Sequence, residues 1–214
     1  MQTQKIGTAI KIFGVVIGLF VFCVMPATTQ AAPDALNTIT LAGEFSDADA
    51  IFLRTNLETL RDQFPTWYQY VIDAQPLTIA IDSSEGALGH AAIAKCCDAQ
   101  GRGVITFGFH FGQSPDDAEQ TIEAQRVAFI GTLVHEVTHI RDQRAGRFTT
   151  KTDYKSCVAI EKSGLEKQLE VKRALATGDL GAAFAHALNQ QIGDEATALR
   201  SRELWQHYCG AFQN

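Results

Sequence analysis

Two histidines one helical turn apart, with an acid beside the first, constrain this chain more than any other feature. The stretch is Thr132-Leu133-Val134-His135-Glu136-Val137-Thr138-His139-Ile140. A spacing of four puts His135 and His139 on one face of a helix, where both imidazoles can share a metal ion. Glu136 points about 100° round the helix, beside the ion rather than onto it. In this H-E-x-x-H arrangement two His bind zinc and the Glu polarises a water. On a helical wheel Phe129, Ile130, Leu133, Val134, Val137 and Ile140 share one broad arc, which predicts a core-facing side. Ala128, Gly131 and Thr132 fall near the histidines, and their small size leaves room for an ion and a substrate. A surface helix carrying two histidines by accident would explain neither Glu136 nor these small residues.

The first residues read as an export signal. Lys5 and Lys11 precede the uncharged apolar run Ile12–Met25, and Pro26-Ala27-Thr28-Thr29-Gln30-Ala31-Ala32 offers small residues for cleavage, expected after Ala31. The run is short for a membrane span, and an uncleaved N-terminal anchor is the lesser alternative. Phe22 before Cys23 argues against lipid attachment. Residues 32–214 are then expected to form a single domain with its own core. Losing the two lysines takes the formal net charge from −6 to −8. Such an acidic product has no footprint for nucleic acid or an anionic membrane.

Four cysteines remain: Cys96, Cys97, Cys157 and Cys209. An even number in an exported chain predicts disulfides. A bond between the neighbours Cys96 and Cys97 would be strained. The expected scheme therefore ties one of them to Cys157 and the other to Cys209. A thiolate metal site is the weaker reading, because C-x-x-C pairs are absent.

The element order predicts an α+β fold: a small N-terminal sheet with helices, the motif helix, then helices only. Thr38–Leu41 is a possible short strand. Ser46 with Asp47 and Asp49 starts a helix that runs to about Gln63, and Pro65 starts another. The aromatics of that second helix, Trp67, Tyr68 and Tyr70, read as core. Leu77–Ile81 and Val104–Phe109 are strand-like, with an irregular loop over 83–103 between them. Ser114-Pro115-Asp116-Asp117 is a helix start, and the helix is expected to run through the motif to Gly146, with a break before Arg126 as an option. Further helices are expected over 154–177, 179–191 and 194–209.

Catalytic zinc usually has three protein ligands and one open position. Asp153, Glu161, Glu166 and Glu170 are candidates for the third. With Glu161 at zero on the wheel, Cys157, Val158, Leu165, Leu169, Leu175 and Ala176 all lie within about 80°. Glu166 and Glu170 lie about 140° and 180° away, on the polar side. A carboxylate within an apolar stripe is costly unless paired or metal-bound, which favours Glu161. The competing role for Glu161 is an ion pair with Lys172 or Arg173.

These residues resemble the zincin superfamily, specifically gluzincin-type metallopeptidases with H-E-x-x-H on one helix and a Glu on the next. The resemblance rests on His135, Glu136 and His139 and more loosely on Glu161, over about 80 residues. It implies a zincin-like fold and Zn2+ held by His135, His139 and Glu161. It also implies hydrolysis of a protein or peptide substrate, with Glu136 moving the water's proton. The strand before the motif helix would border the cleft, so Val104, Ile105, Thr106, Phe107 and Gly108 would pair with an extended substrate. Thr152-Asp153-Tyr154 only faintly matches the aspzincin pattern. The third metzincin histidine is absent, since no histidine follows His139 until His186. Tyr154, His186, His207 and Tyr208 are candidate donors to the developing oxyanion. The alternative function is a non-catalytic zincin-fold binding domain of the cell envelope, against which stands Glu136. Export to periplasm or beyond is expected, without stable membrane insertion once the signal is removed.

Overall fold

The motif helix forms one wall of an α+β core. In the computed structural model, residues 38–87, 91–111, 122–147, 153–182 and 185–212 are described, all within one compact unit, Pro33–Asn214. The expected helix start at Ser114 lies outside them. The elements are β1 (Ile39–Gly43), α1 (Asp47–Gln63), α2 (Pro65–Ile72), β2 (Leu77–Ile81), α3 (Ser83–Ala87), β3 (Ala92–Lys95) and β4 (Gly103–Phe107). Then come α4 (Ile122–Arg144), α5 (Tyr154–Ala176), α6 (Asp179–Ala182), α7 (Ala185–Ala198) and α8 (Arg202–Cys209). Two expectations need correction. The stretch 83–103 is not wholly irregular, because it holds α3, β3 and the start of β4. The last helical break falls at 199–201 rather than 192–193. Gly193 sits on an exposed face of α7, where a glycine costs only about 1 kcal/mol, and Ser201 caps α8 by accepting from Leu204 N at 3.1 Å.

The sheet order is β1-β2-β4-β3. The first three strands are parallel and β3 runs antiparallel to β4. Leu77, Ile79 and Ile81 of β2 and Ile105 and Phe107 of β4 are fully buried, as expected of central parallel strands covered by helices. Ser46 caps α1 in a capping box with Asp49. The buried Asp49 carboxylate also accepts from Phe111 N at 2.8 Å and meets His110 Nδ1 at 2.8 Å. The chain leaving β4 is thereby tied to the N-terminus of α1.

An aromatic cluster joins the sheet to α4. Phe129 lies 4.7 to 5.4 Å, centroid to centroid, from Phe111, Phe107 and Phe52. Such contacts add to the area that these rings bury. On another side, Tyr70 of α2 bonds its hydroxyl to Thr138 at 3.0 Å, and the Arg141 guanidinium stacks on the Tyr70 ring at 4.2 Å. Tyr68 is buried, and Trp67 and Tyr70 pack against the core, as read from the sequence. Every residue from Leu133 to Ile140 is buried. The sequence predicts one core side and one open side for this helix; the structure covers both, because the histidine face lies against α5.

Candidate metal centre

α4 and α5 run antiparallel and in close contact. Gly131 of α4 faces Gln168 and Lys172 of α5, and His135 faces Gly164 and Glu161. A methyl group at Gly164 would come within 2.8 to 2.9 Å of three atoms of the His135 ring. The absent side chain at Gly164 is therefore the space in which that imidazole sits. A glycine inside a helix costs about 1 kcal/mol against alanine and calls for such a reason. Gly164→Ala is expected to leave helix content unchanged and to weaken divalent-ion binding about 10- to 100-fold, the range for displaced ligand support. Competition titration against a chromogenic chelator measures it.

Three basic atoms converge in this seam. His135 Nε2 and His139 Nε2 are 2.9 Å apart, and Glu161 Oε2 lies 3.4 and 3.8 Å from them. His135, His139 and Glu161 are 7%, 7% and 6% exposed, so water does little to solvate them. Two neutral imidazole nitrogens that face each other can share one proton, and the carboxylate aimed at the same point accepts only. Burying that set without a cation is costly. Ligand atoms about 2.0 to 2.1 Å from a tetrahedral ion stand about 3.3 Å apart. The three observed separations bracket that value. Two His and one Glu are also a donor set found at catalytic zinc. The residues therefore fit a divalent ion, although the geometry does not identify which. Among the described residues, His139 Nδ1 has no hydrogen-bond partner.

The other third-ligand candidates point elsewhere. Asp153 caps α5, accepting from Ser156 N at 2.7 Å, and that bond holds its carboxyl below the usual carboxylate range. Glu166 and Glu170 are exposed and pair with Lys162 at 3.7 Å and Lys167 at 2.6 Å. Lys172 is buried and pairs with Glu195 of α7. Glu136, 5% exposed, follows His135 into the same buried region.

Two site expectations are corrected. Val104, Ile105, Thr106 and Phe107 lie in β4, which is hydrogen-bonded to β2 on one side and β3 on the other, and Gly108 N bonds to Ala91 O at 3.1 Å. An interior strand has no free edge for an extended peptide. The edge on this side of the sheet belongs to β3, which Gln143 of α4 braces by accepting from Cys96 N at 2.7 Å. The cysteine pairing also differs: Cys96 bonds to Cys97, and Cys157 to Cys209. Cys157 and Cys209 stand 5.8 Å apart at Cα, an ordinary disulfide span, while Cys96 is held at the far end of α4.

Of the four candidate oxyanion donors, Tyr208 sits beside Cys209, whose disulfide partner Cys157 lies one turn before Glu161. Its phenol is raised above the ordinary value by burial first, then by the negative charge of Glu161, Glu136 and Glu195. His186, His207 and Tyr208 are all exposed, and Tyr154 opens α5. The sequence reading missed Gly164 and Asp142. Asp142 is buried, accepts from Ser163 Oγ at 2.7 Å and pairs with Arg147 at 2.7 Å, closing the α4–α5 seam beyond His139. Its position seven residues after His135 places it on the same stripe, which was the available signal. Family models, curated proteins and solved structures were compared with the chain, and none matches.

Proposed function

We propose that this chain is an exported zinc metallopeptidase of zincin type, in which His135, His139 and Glu161 hold the ion and Glu136 handles the proton. The convergence of a buried His2Glu set directly beside Glu136 carries the reading. A purely structural ion needs no such acid. The arrangement of the sheet adds support: an antiparallel edge strand, β3, packs near the motif helix, where an extended substrate could add a strand.

Zinc bound by these three residues would supply Lewis acidity, polarising the scissile carbonyl and acidifying the attacking water. The chain's own residues do the rest. Glu136 accepts the proton of the attacking water and returns it to the leaving amine. Burial of the site keeps competing water out and strengthens the electrostatics of that transfer. Two disulfides suit an oxidising compartment. No helix among the described residues is long and apolar enough to cross a membrane.

The test is cleavage of a fluorogenic peptide library by the zinc-loaded protein. Chelator-sensitive cleavage restored by added zinc is the expected result. One bound ion per chain with no cleavage of any peptide would instead favour a binding domain.

A further inference from the structure

Arg126 stands apart from the metal chemistry. It lies nine residues before His135, about 13 Å along α4 and on the opposite side of that helix. There α1 and α4 leave a cleft of about 350 Å³, lined by Ile51, Phe52, Thr55, Asn56, Ile122 and Arg126. Ile51 and Ile122 are 64% and 51% exposed, so the cleft presents apolar surface to the medium. Two side chains of α1 hold the Arg126 guanidinium. Its Nε donates to Asn56 Oδ1 at 3.4 Å and its Nη2 to Thr59 Oγ1. Both acceptors are themselves fixed to the helix: the buried Asn56 donates to Phe52 O at 2.7 Å, and Thr59 to Thr55 O at 2.8 Å. Among the described residues these partners are neutral, and no carboxylate is among them. A guanidinium has five N–H donors, so both hydrogens of Nη1 and one of Nη2 are left over.

We propose that this cleft binds a small aliphatic carboxylate, with its head group on Arg126 and its chain along Ile51, Phe52 and Ile122. A cation set among apolar side chains without a counter-charge is costly, and a bound anion offsets that cost. A carboxylate accepts from the free Nη1 and Nη2 hydrogens in a two-bond fork. One positive charge with neutral neighbours balances one negative charge. A phosphate, which carries nearly two, would bring a surplus into apolar surroundings. The volume lies at the small end for ligand pockets, and at about 30 Å³ per water-sized group it holds about ten heavy atoms. An eight-carbon acid has that size. The site is built from α1 and α4 alone and does not depend on the peptidase reading.

The experiment titrates the purified protein with octanoate and follows the backbone amide shifts by nuclear magnetic resonance, with octanol and octyl phosphate as companions. Saturable shifts confined to α1 and the start of α4 are expected, at a Kd of about 0.1 to 1 mM for a ligand of this size. Octanol and octyl phosphate should bind about tenfold more weakly, as for a lost or mismatched charged pair. Arg126→Gln should weaken octanoate about 10- to 100-fold. Ile51→Glu sets a carboxylate at an exposed position of the cleft, and should abolish octanoate binding while leaving far-ultraviolet circular dichroism unchanged. Absence of octanoate binding would overturn the proposal, as would wild-type affinity in Arg126→Gln or octyl phosphate bound as tightly as octanoate. Should Arg126→Gln fail to fold, Ile51→Glu decides, and wild-type affinity there overturns the proposal equally. An acetylated peptide ending in leucine that binds this cleft more tightly than octanoate would overturn the choice of ligand in favour of a peptide C-terminus.

Discussion

Glu136→Gln is expected to bind zinc as the wild type does and to lose peptide cleavage by about 10²- to 10⁴-fold, the usual share of a positioned general base. The amide keeps the shape and hydrogen-bonding capacity of the side chain but cannot take a proton near neutral pH. Glu136 is buried and sits one residue from a ligand, on a helix whose neighbours are all buried. An isosteric change therefore matters more than truncation, which would open a cavity and confuse fold with chemistry. The loss should fall on kcat, with ion content by elemental analysis unchanged. Cleavage at the wild-type rate would remove Glu136 from the mechanism and the peptidase assignment with it.

The second large effect is on stability. The Cys157–Cys209 bond closes a loop with a sequence separation of 52. Loop-closure entropy assigns such a bond about 4 kcal/mol, by constraining the unfolded chain. The loop contains α5, α6, α7 and α8, and α7 buries little besides Leu188. Among the described residues, α7 and α8 therefore have modest packing of their own to fall back on. Cys157→Ser/Cys209→Ser should lower the urea midpoint by an amount equivalent to several kcal/mol, with near-native far-ultraviolet circular dichroism before the transition. A change under about 1 kcal/mol would mean that the C-terminal helices are held by other contacts.

What the sequence made legible was local. The 3.6-residue period around His135 and His139 and the capping residue Ser46 are signals carried within a few residues, and the elements follow them. Helical phase also singled out Glu161, because its neighbours at one-turn spacing are apolar, and Glu161 is the acid that meets the two histidines. What was not legible depended on distant partners. β4 reads clearly as a strand, but its interior place arises from pairing with β3, whose Ala92-Ile93-Ala94-Lys95 has little strand character. Strand order is set by such non-local contacts, so the sequence did not show that Val104–Phe107 lie in a strand with no free edge. The cysteine pairing was likewise decided by where α8 returns to α5, which no spacing encodes. Gly164 carried a signal, a glycine inside a helix, but its meaning needed the imidazole on the facing helix.

The central claim is that His135, His139 and Glu161 together hold one divalent ion. Its most direct test is the metal content of the purified protein after exhaustive dialysis, beside that of His139→Ala and Glu161→Ala. One zinc per chain in the wild type and almost none in either variant is the predicted result. A wild type free of metal and unable to take up zinc, or variants that retain it in full, would contradict the account.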